Sequence, residues 1–190
     1  MGAAPEVIGY TNGTATVVAE QIIAVVNGQL LFQSDLLRDQ TFFSATTSTT
    51  EKLVDDKLLL IEAKRFVLAP PQEEEIDLAF KEIQKKFSDE AAFQNALKET
   101  GLTSAGLKRE ILDRLWVKKL IQDRITFFIF ITDEEISQYY QQHQNDFLQH
   151  ELQDAEAKIR AILEKEKETM KIREYLSRIT SQANINVHVR

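Results

Sequence analysis

Cysteine is missing from the 190 residues. Its absence excludes disulfide staples, thiolate metal sites and cysteine nucleophiles. It assigns no compartment, although a cysteine-free chain is at ease in an oxidising one. Histidine occurs only as His143, His150 and His188. Metal-binding pairs on helices usually sit four residues apart, and His143 and His150 do not, so surface roles are expected for them. Long apolar runs are also lacking. The most apolar stretch, Ile125 to Ile131, is far short of the ~20 residues a membrane span needs. The N-terminal stretch shows no basic cluster followed by an apolar core, so it is not a secretory signal as written.

Basic runs are short as well. Lys85-Lys86 and Lys118-Lys119 make no stripe, and the net charge of −7 leaves no general basic face, so no nucleic-acid partner is expected. The sequence contains no GxSxG, P-loop or GxGxxG pattern. The carboxylates of Glu73-Glu74-Glu75 and Asp133-Glu134-Glu135 follow Pro70-Pro71 and Thr132. They read as helix N-termini, where negative charge is favoured for dipole reasons alone. No catalytic residue, metal ligand or cofactor is assigned.

What is present describes a helical globular protein. Apolar residues make up 43% and charged residues 28%, a balance that excludes disorder, and the length suits one domain or one and a half. Three prolines and six glycines give little punctuation, which favours long helices. Residues 1–20 read as a loose lead-in. Asn27-Gly28 between Ile22–Val26 and Gln29–Phe32 is a strong hairpin signal, because both turn positions need positive φ. A short helix capped by Ser34 or Asp35 and reaching Phe43 is expected next. Further helices are expected over 51–66 (capped by Thr50), 73–87, 88–101 (capped by Ser88), 103–130, 132–147 and 151–181. Thr132 and Glu135 form a capping box. The tail from Asn184 to Val189 alternates as a half-buried strand. Pairing it with the hairpin would join the two ends of the chain in a small antiparallel sheet.

Helix length has a consequence. About 30 helical residues span roughly 45 Å, whereas a compact chain of this size has a diameter of roughly 42 Å. Two such helices, 103–130 and 151–181, predict an elongated molecule or a concavity with exposed apolar surface. Simple packing of the two as an antiparallel pair is the plainer alternative. The aromatic residues add to this picture. Phe42, Phe43, Phe127, Phe128, Phe130, Tyr139 and Tyr140 are each open to two readings, as core residues or as the lining of an apolar groove for an extended chain.

Two stretches carry a family resemblance. Ile22-Ile-Ala-Val-Val-Asn-Gly-Gln-Leu-Leu-Phe-Gln-Ser-Asp-Leu36 resembles the opening of the SurA N-terminal domain. Ile131-Thr-Asp-Glu-Glu-Ile-Ser-Gln-Tyr-Tyr-Gln-Gln-His-Gln-Asn-Asp-Phe147 is similar to the helix that leads into the parvulin-type prolyl isomerase domain of SurA- and PrsA-like proteins. The likeness runs over residues 21–190, as an N-terminal part to 147 and a C-terminal return helix and strand over 148–190. It departs from the family at Phe147, where the final helix follows at once and no parvulin pattern intervenes.

The resemblance implies a mainly α, multi-helix peptide-binding module with a small sheet. It further implies an ATP-independent periplasmic holdase for unfolded outer-membrane or secreted proteins, with polypeptide clients and without isomerase activity. The seven aromatic residues named above are its expected client contacts. Two alternatives remain open: an isomerase with residual activity, and an adaptor that forms a homodimer through its long helices.

Overall fold

The computed structural model describes residues 20–43, 47–66, 69–147 and 152–188. Apart from Glu20, the expected lead-in lies outside these residues, as does His150. The chain is mainly helical with one small sheet. Strand β1 (Ile22–Val26) lies at the centre of an antiparallel sheet ordered β2-β1-β3, with β2 over Gln29–Phe32 and β3 over Ile185–Val187. The turn is the one the sequence predicts, with Asn27 at φ 49° and Gly28 at φ 80°. Val25 pairs with Leu30 on one side and with Asn186 on the other. The expected closure of head and tail is therefore present.

Seven helices follow the hairpin among the described residues: α1 (Gln33–Arg38), α2 (Thr50–Phe66), α3 (Glu73–Gln84), α4 (Glu90–Glu99), α5 (Ser104–Arg124), α6 (Asp133–Gln142) and α7 (Leu152–Thr180). Their starts follow capping chemistry. The Thr132 hydroxyl accepts from the Glu135 N–H, and the Glu135 carboxylate accepts from the Thr132 N–H at 2.9 Å, so the capping box forms as read. Asp35 opens α1 by accepting from the Phe32 N–H at 2.8 Å.

Several boundaries differ from the sequence reading, among them those of α1, which ends at Arg38 instead of reaching Phe43, and α6, which ends at Gln142 instead of Phe147. Asp89, not Ser88, caps α4 by accepting from the Ala92 N–H at 2.8 Å. Thr49, not Thr50, caps α2, with its hydroxyl 3.2 Å from the Lys52 N. Helix α3 stops at Gln84, and Phe87 turns inward to pack against Phe42 and Phe93 with ring centroids 5.9 and 5.5 Å away. Helix α5 ends at Arg124 instead of continuing to 130. There Ile125 leaves the helical region (φ −126°, ψ −66°) and is drawn into the interior, and a tight turn over Thr126–Phe128 follows.

Apolar packing is divided among four small cores. One joins the sheet to α2 through Ile23, Val26, Leu31, Leu53, Val54 and Leu58. A second gathers Phe42, Ile83, Phe93, Leu97, Leu107 and Ile111. A third joins α6 to the start of α7 through Ile136, Phe147, Ala155 and Ile159. The last joins α2, α5 and the far end of α7 through Leu59, Ala63 and Leu120, with Trp116, Tyr175 and Leu176 against them. Helix α2 is central, as its apolar residues on nearly all sides require. The alternative of an antiparallel pair of the two longest helices is not how they pack. Helix α7 lies along α6 at one end and reaches α2 at the other. From Arg160 to Thr180 it has no fully buried residue.

Candidate functional site

The space between α2, α5 and α7 is an open cleft of about 890 Å³. On α5, Glu110, Arg114, Val117 and Ile121 line it at spacings of four, three and four, which places them on one helical face. On α2, Leu53, Asp56, Lys57 and Leu60 line it at positions i, i+3, i+4 and i+7. Leu31 closes it from β2, and Glu168 and Ile172 from α7. Its apolar lining is therefore Leu31, Leu53, Leu60, Val117, Ile121 and Ile172. Leu31 and Leu53 are buried, and the other four are half-buried with surface left open to the cleft.

Charged groups surround that lining, and most are engaged. Asp39 is almost fully buried at 1% exposure and binds the Ser48 hydroxyl, Lys52 Nζ at 2.7 Å and Arg114 at 2.5 Å. Arg114 also lies over the Phe43 ring, 3.7 Å from its centroid. Asp35 pairs with Arg38 at 3.1 Å and Asp113 with Lys64 at 2.7 Å. Thr126 donates to Glu168 at 2.5 Å, tying the end of α5 to α7. Glu110 differs from these: among the described residues it has neither a hydrogen bond nor an ion pair. Burial pushes its carboxyl above the ordinary value. Arg38 and Arg114 oppose that shift, and Asp35 and Asp113 add to it. Asp56 Oδ2 is buried without a hydrogen bond, 3.4 Å from Lys52 Nζ and 4.0 Å from Arg114.

The seven aromatic residues named from sequence do not share one surface. Phe42 is 1% exposed and surrounded by Phe43, Phe87 and Phe93, so it is a core residue and faces no groove. Phe43 is half-covered under Arg114. Tyr139 and Tyr140 pack on the α6–α7 core, and the Tyr139 ring stacks on His143 at 4.0 Å. Phe127, Phe128 and Phe130 are the exposed ones, at 72%, 65% and 74%. They form a knuckle immediately after Thr126, at the end of the cleft. The knuckle's backbone is strapped to α7: Lys167 donates to the Phe130 carbonyl at 2.8 Å and Arg160 to the Ile131 carbonyl at 3.0 Å.

The sequence reading missed the aliphatic lining of the cleft. The available signal was the 110-114-117-121 spacing on α5, a second stripe beside the core-facing 107-111-115 one. Among the described residues, no group of three or more His, Cys, Asp or Glu could hold a metal ion, and no helix is long and apolar enough to cross a membrane.

No protein-family model matches the chain. A Foldase protein PrsA of Clostridium botulinum (strain Hall) is 32% identical over 101 residues, covering 51% of this chain and 30% of the relative. A Foldase protein PrsA of Clostridium perfringens (strain 13) is 30% identical over 112 residues, covering 57% of this chain and 32% of the relative. The chain spans about a third of the length of the curated relatives it matches. Its distant, partial relatives are thus foldases by name.

Proposed function

We propose that the chain is the client-binding module of an ATP-independent chaperone that holds unfolded polypeptides outside the cytoplasm, in the bacterial periplasm. The observation that carries this reading is the open cleft with an apolar lining between α2, α5 and α7. A client segment would bury its side chains there at about 25 cal/mol per Å². The exposed knuckle of Phe127, Phe128 and Phe130 would extend the contact beyond the cleft's end. The foldase name of the relatives supports the same reading. The net charge of −7 favours solubility while apolar surface stays open.

The mechanism is shielding rather than catalysis. Many weak contacts hold a client reversibly, and no step requires a nucleotide. Only residues 148–151 lie between Phe147 and α7, which leaves that junction no room for an isomerase domain.

The test is aggregation of a urea-denatured outer-membrane protein diluted into buffer without nucleotide, followed by light scattering. Suppression at a few-fold molar excess of the chain is expected, and no suppression at large excess overturns the reading. A proline-peptide assay run alongside should show no turnover; clear turnover would move the reading to an isomerase.

A further inference from the structure

We propose that the α2–α5–α7 cleft selects clients by charge: it takes an apolar segment that carries an arginine or lysine, with Glu110 accepting from that side chain. The inference rests on the client-binding reading above and narrows its substrate class.

The argument starts from which groups in the cleft still lack partners. Five carboxylates and three cations line it, namely Asp35, Asp56, Glu110, Asp113 and Glu168 against Lys57, Arg114 and Lys118. Internal pairing removes most of them. Asp35 is held by Arg38, Asp113 by Lys64, and Arg114 by the buried Asp39 and the Phe43 ring. Glu168 accepts from the Thr126 hydroxyl. Asp56 Oδ2 makes no hydrogen bond but is ion-paired with Lys52 at 3.4 Å and Arg114 at 4.0 Å. Glu110, Lys57 and Lys118 remain.

Burial separates these remaining groups. Lys118 is exposed and Lys57 only half-covered. An ammonium on a flexible four-carbon stem keeps its hydration by reaching outward. Glu110 sits half-buried on a short stem, with no donor of its own among the described residues. A buried acceptor without a donor is the more expensive of the two situations, so an incoming donor gains more than an incoming acceptor. The aliphatic side chains beside Glu110 on α5, Val117 and Ile121, supply the apolar contact on the same helical face. A segment with apolar residues next to one guanidinium or ammonium matches both requirements. A guanidinium matches best, because its planar fork suits a carboxylate.

The experiment uses three fluorescein-labelled peptides, identical and apolar except for one central arginine, glutamine or glutamate. Each is titrated against the full chain by anisotropy. The arginine peptide should bind roughly fivefold or more tighter than the glutamine one, and the glutamate peptide weakest. The arginine-to-glutamine ratio should fall within twofold in E110Q, whatever the absolute affinity of the variant. It should also collapse between 50 mM and 500 mM salt. Equal binding of all three peptides, or preference for glutamate, overturns the charge selection and leaves client binding standing. Failure of every peptide to bind overturns client binding itself, and the selectivity with it. A ratio that survives in E110Q also defeats the assignment.

Discussion

Asn27 and Asn184 exchange two hydrogen bonds across almost the whole length of the chain. The Asn27 N–H donates to the Asn184 carbonyl, and the Asn184 N–H donates to Asn27 Oδ1, each at 2.8 Å. Asn27 also holds positive φ at the hairpin turn. One side chain therefore fixes both the hairpin and the docking of the tail strand. Asn27→Ala removes the side-chain acceptor and strains the turn, and should lower stability by about 1–2 kcal/mol. Asn27→Gly keeps the turn and loses only the bond, so it should lose about half as much. Urea unfolding of the two variants checks the order; equal losses would show that the bond to Asn184, not the turn, carries the effect.

Asp39 is the buried charge of the molecule's middle. It lies under Ser48, Lys52 and Arg114, so Asp39→Asn removes the negative end of each contact while keeping the shape. Its partners are partly solvated, which reduces the loss to about 2–3 kcal/mol. At this chain length that corresponds to a fall in Tm of roughly 5–10 °C, readable by circular dichroism.

Glu110 gives a pH prediction with a definite sign. Its carboxyl is pushed above the ordinary value of 4.5, chiefly by burial. The folded state therefore binds this proton more tightly than the unfolded chain does. The contribution is fully present below 4.5 and is lost as the pH rises through the raised value. Glu110→Gln should accordingly be more stable than the parent at pH 7, and the advantage should vanish towards pH 4. Glu75, Asp77 and Glu135 are held low by their hydrogen bonds and act in the opposite direction. They are common to both proteins and cancel in the comparison. Thermal melts at pH 4 and pH 7 provide the measurement.

The knuckle and the cleft separate in their effects. Phe127, Phe128 and Phe130 are exposed, so replacing all three by serine should move Tm by no more than a degree or two while weakening aggregation suppression. Ile121→Ser in the cleft should require roughly three- to tenfold more protein for equal suppression. A collapse of Tm in the triple variant would mean that the rings are structural.

The sheet, the order of the helices and the capping boxes were legible in the sequence because each depends on residues close in the chain or on strict periodicity. Asn27-Gly28 demands its turn, and Thr132 with Glu135 demands its helix start. The aromatic site residues were harder to place. Phe42 and Phe128 each stand in a phenylalanine-rich stretch, yet one is buried among rings brought from α4 and the turn before it and the other points out. Phe128 is turned out where Ile125 leaves α5, a tertiary event without a local signal. The cleft lining was hidden for a related reason. Val117 and Ile121 look like core residues of α5, and only the placement of α7, anchored at its two ends, leaves them open.

That placement makes the middle of α7 a strut. With no fully buried residue from Arg160 onward, its central turns contribute length and a few polar ties through Lys167 and Glu168 rather than a core, and the gap they help to define depends on where the two ends sit. Adding one turn would shift one end by about 5.4 Å relative to the other without emptying any core. The aperture is thus a dimension that evolution or design can adjust like the span of a bridge, separately from what keeps the abutments standing.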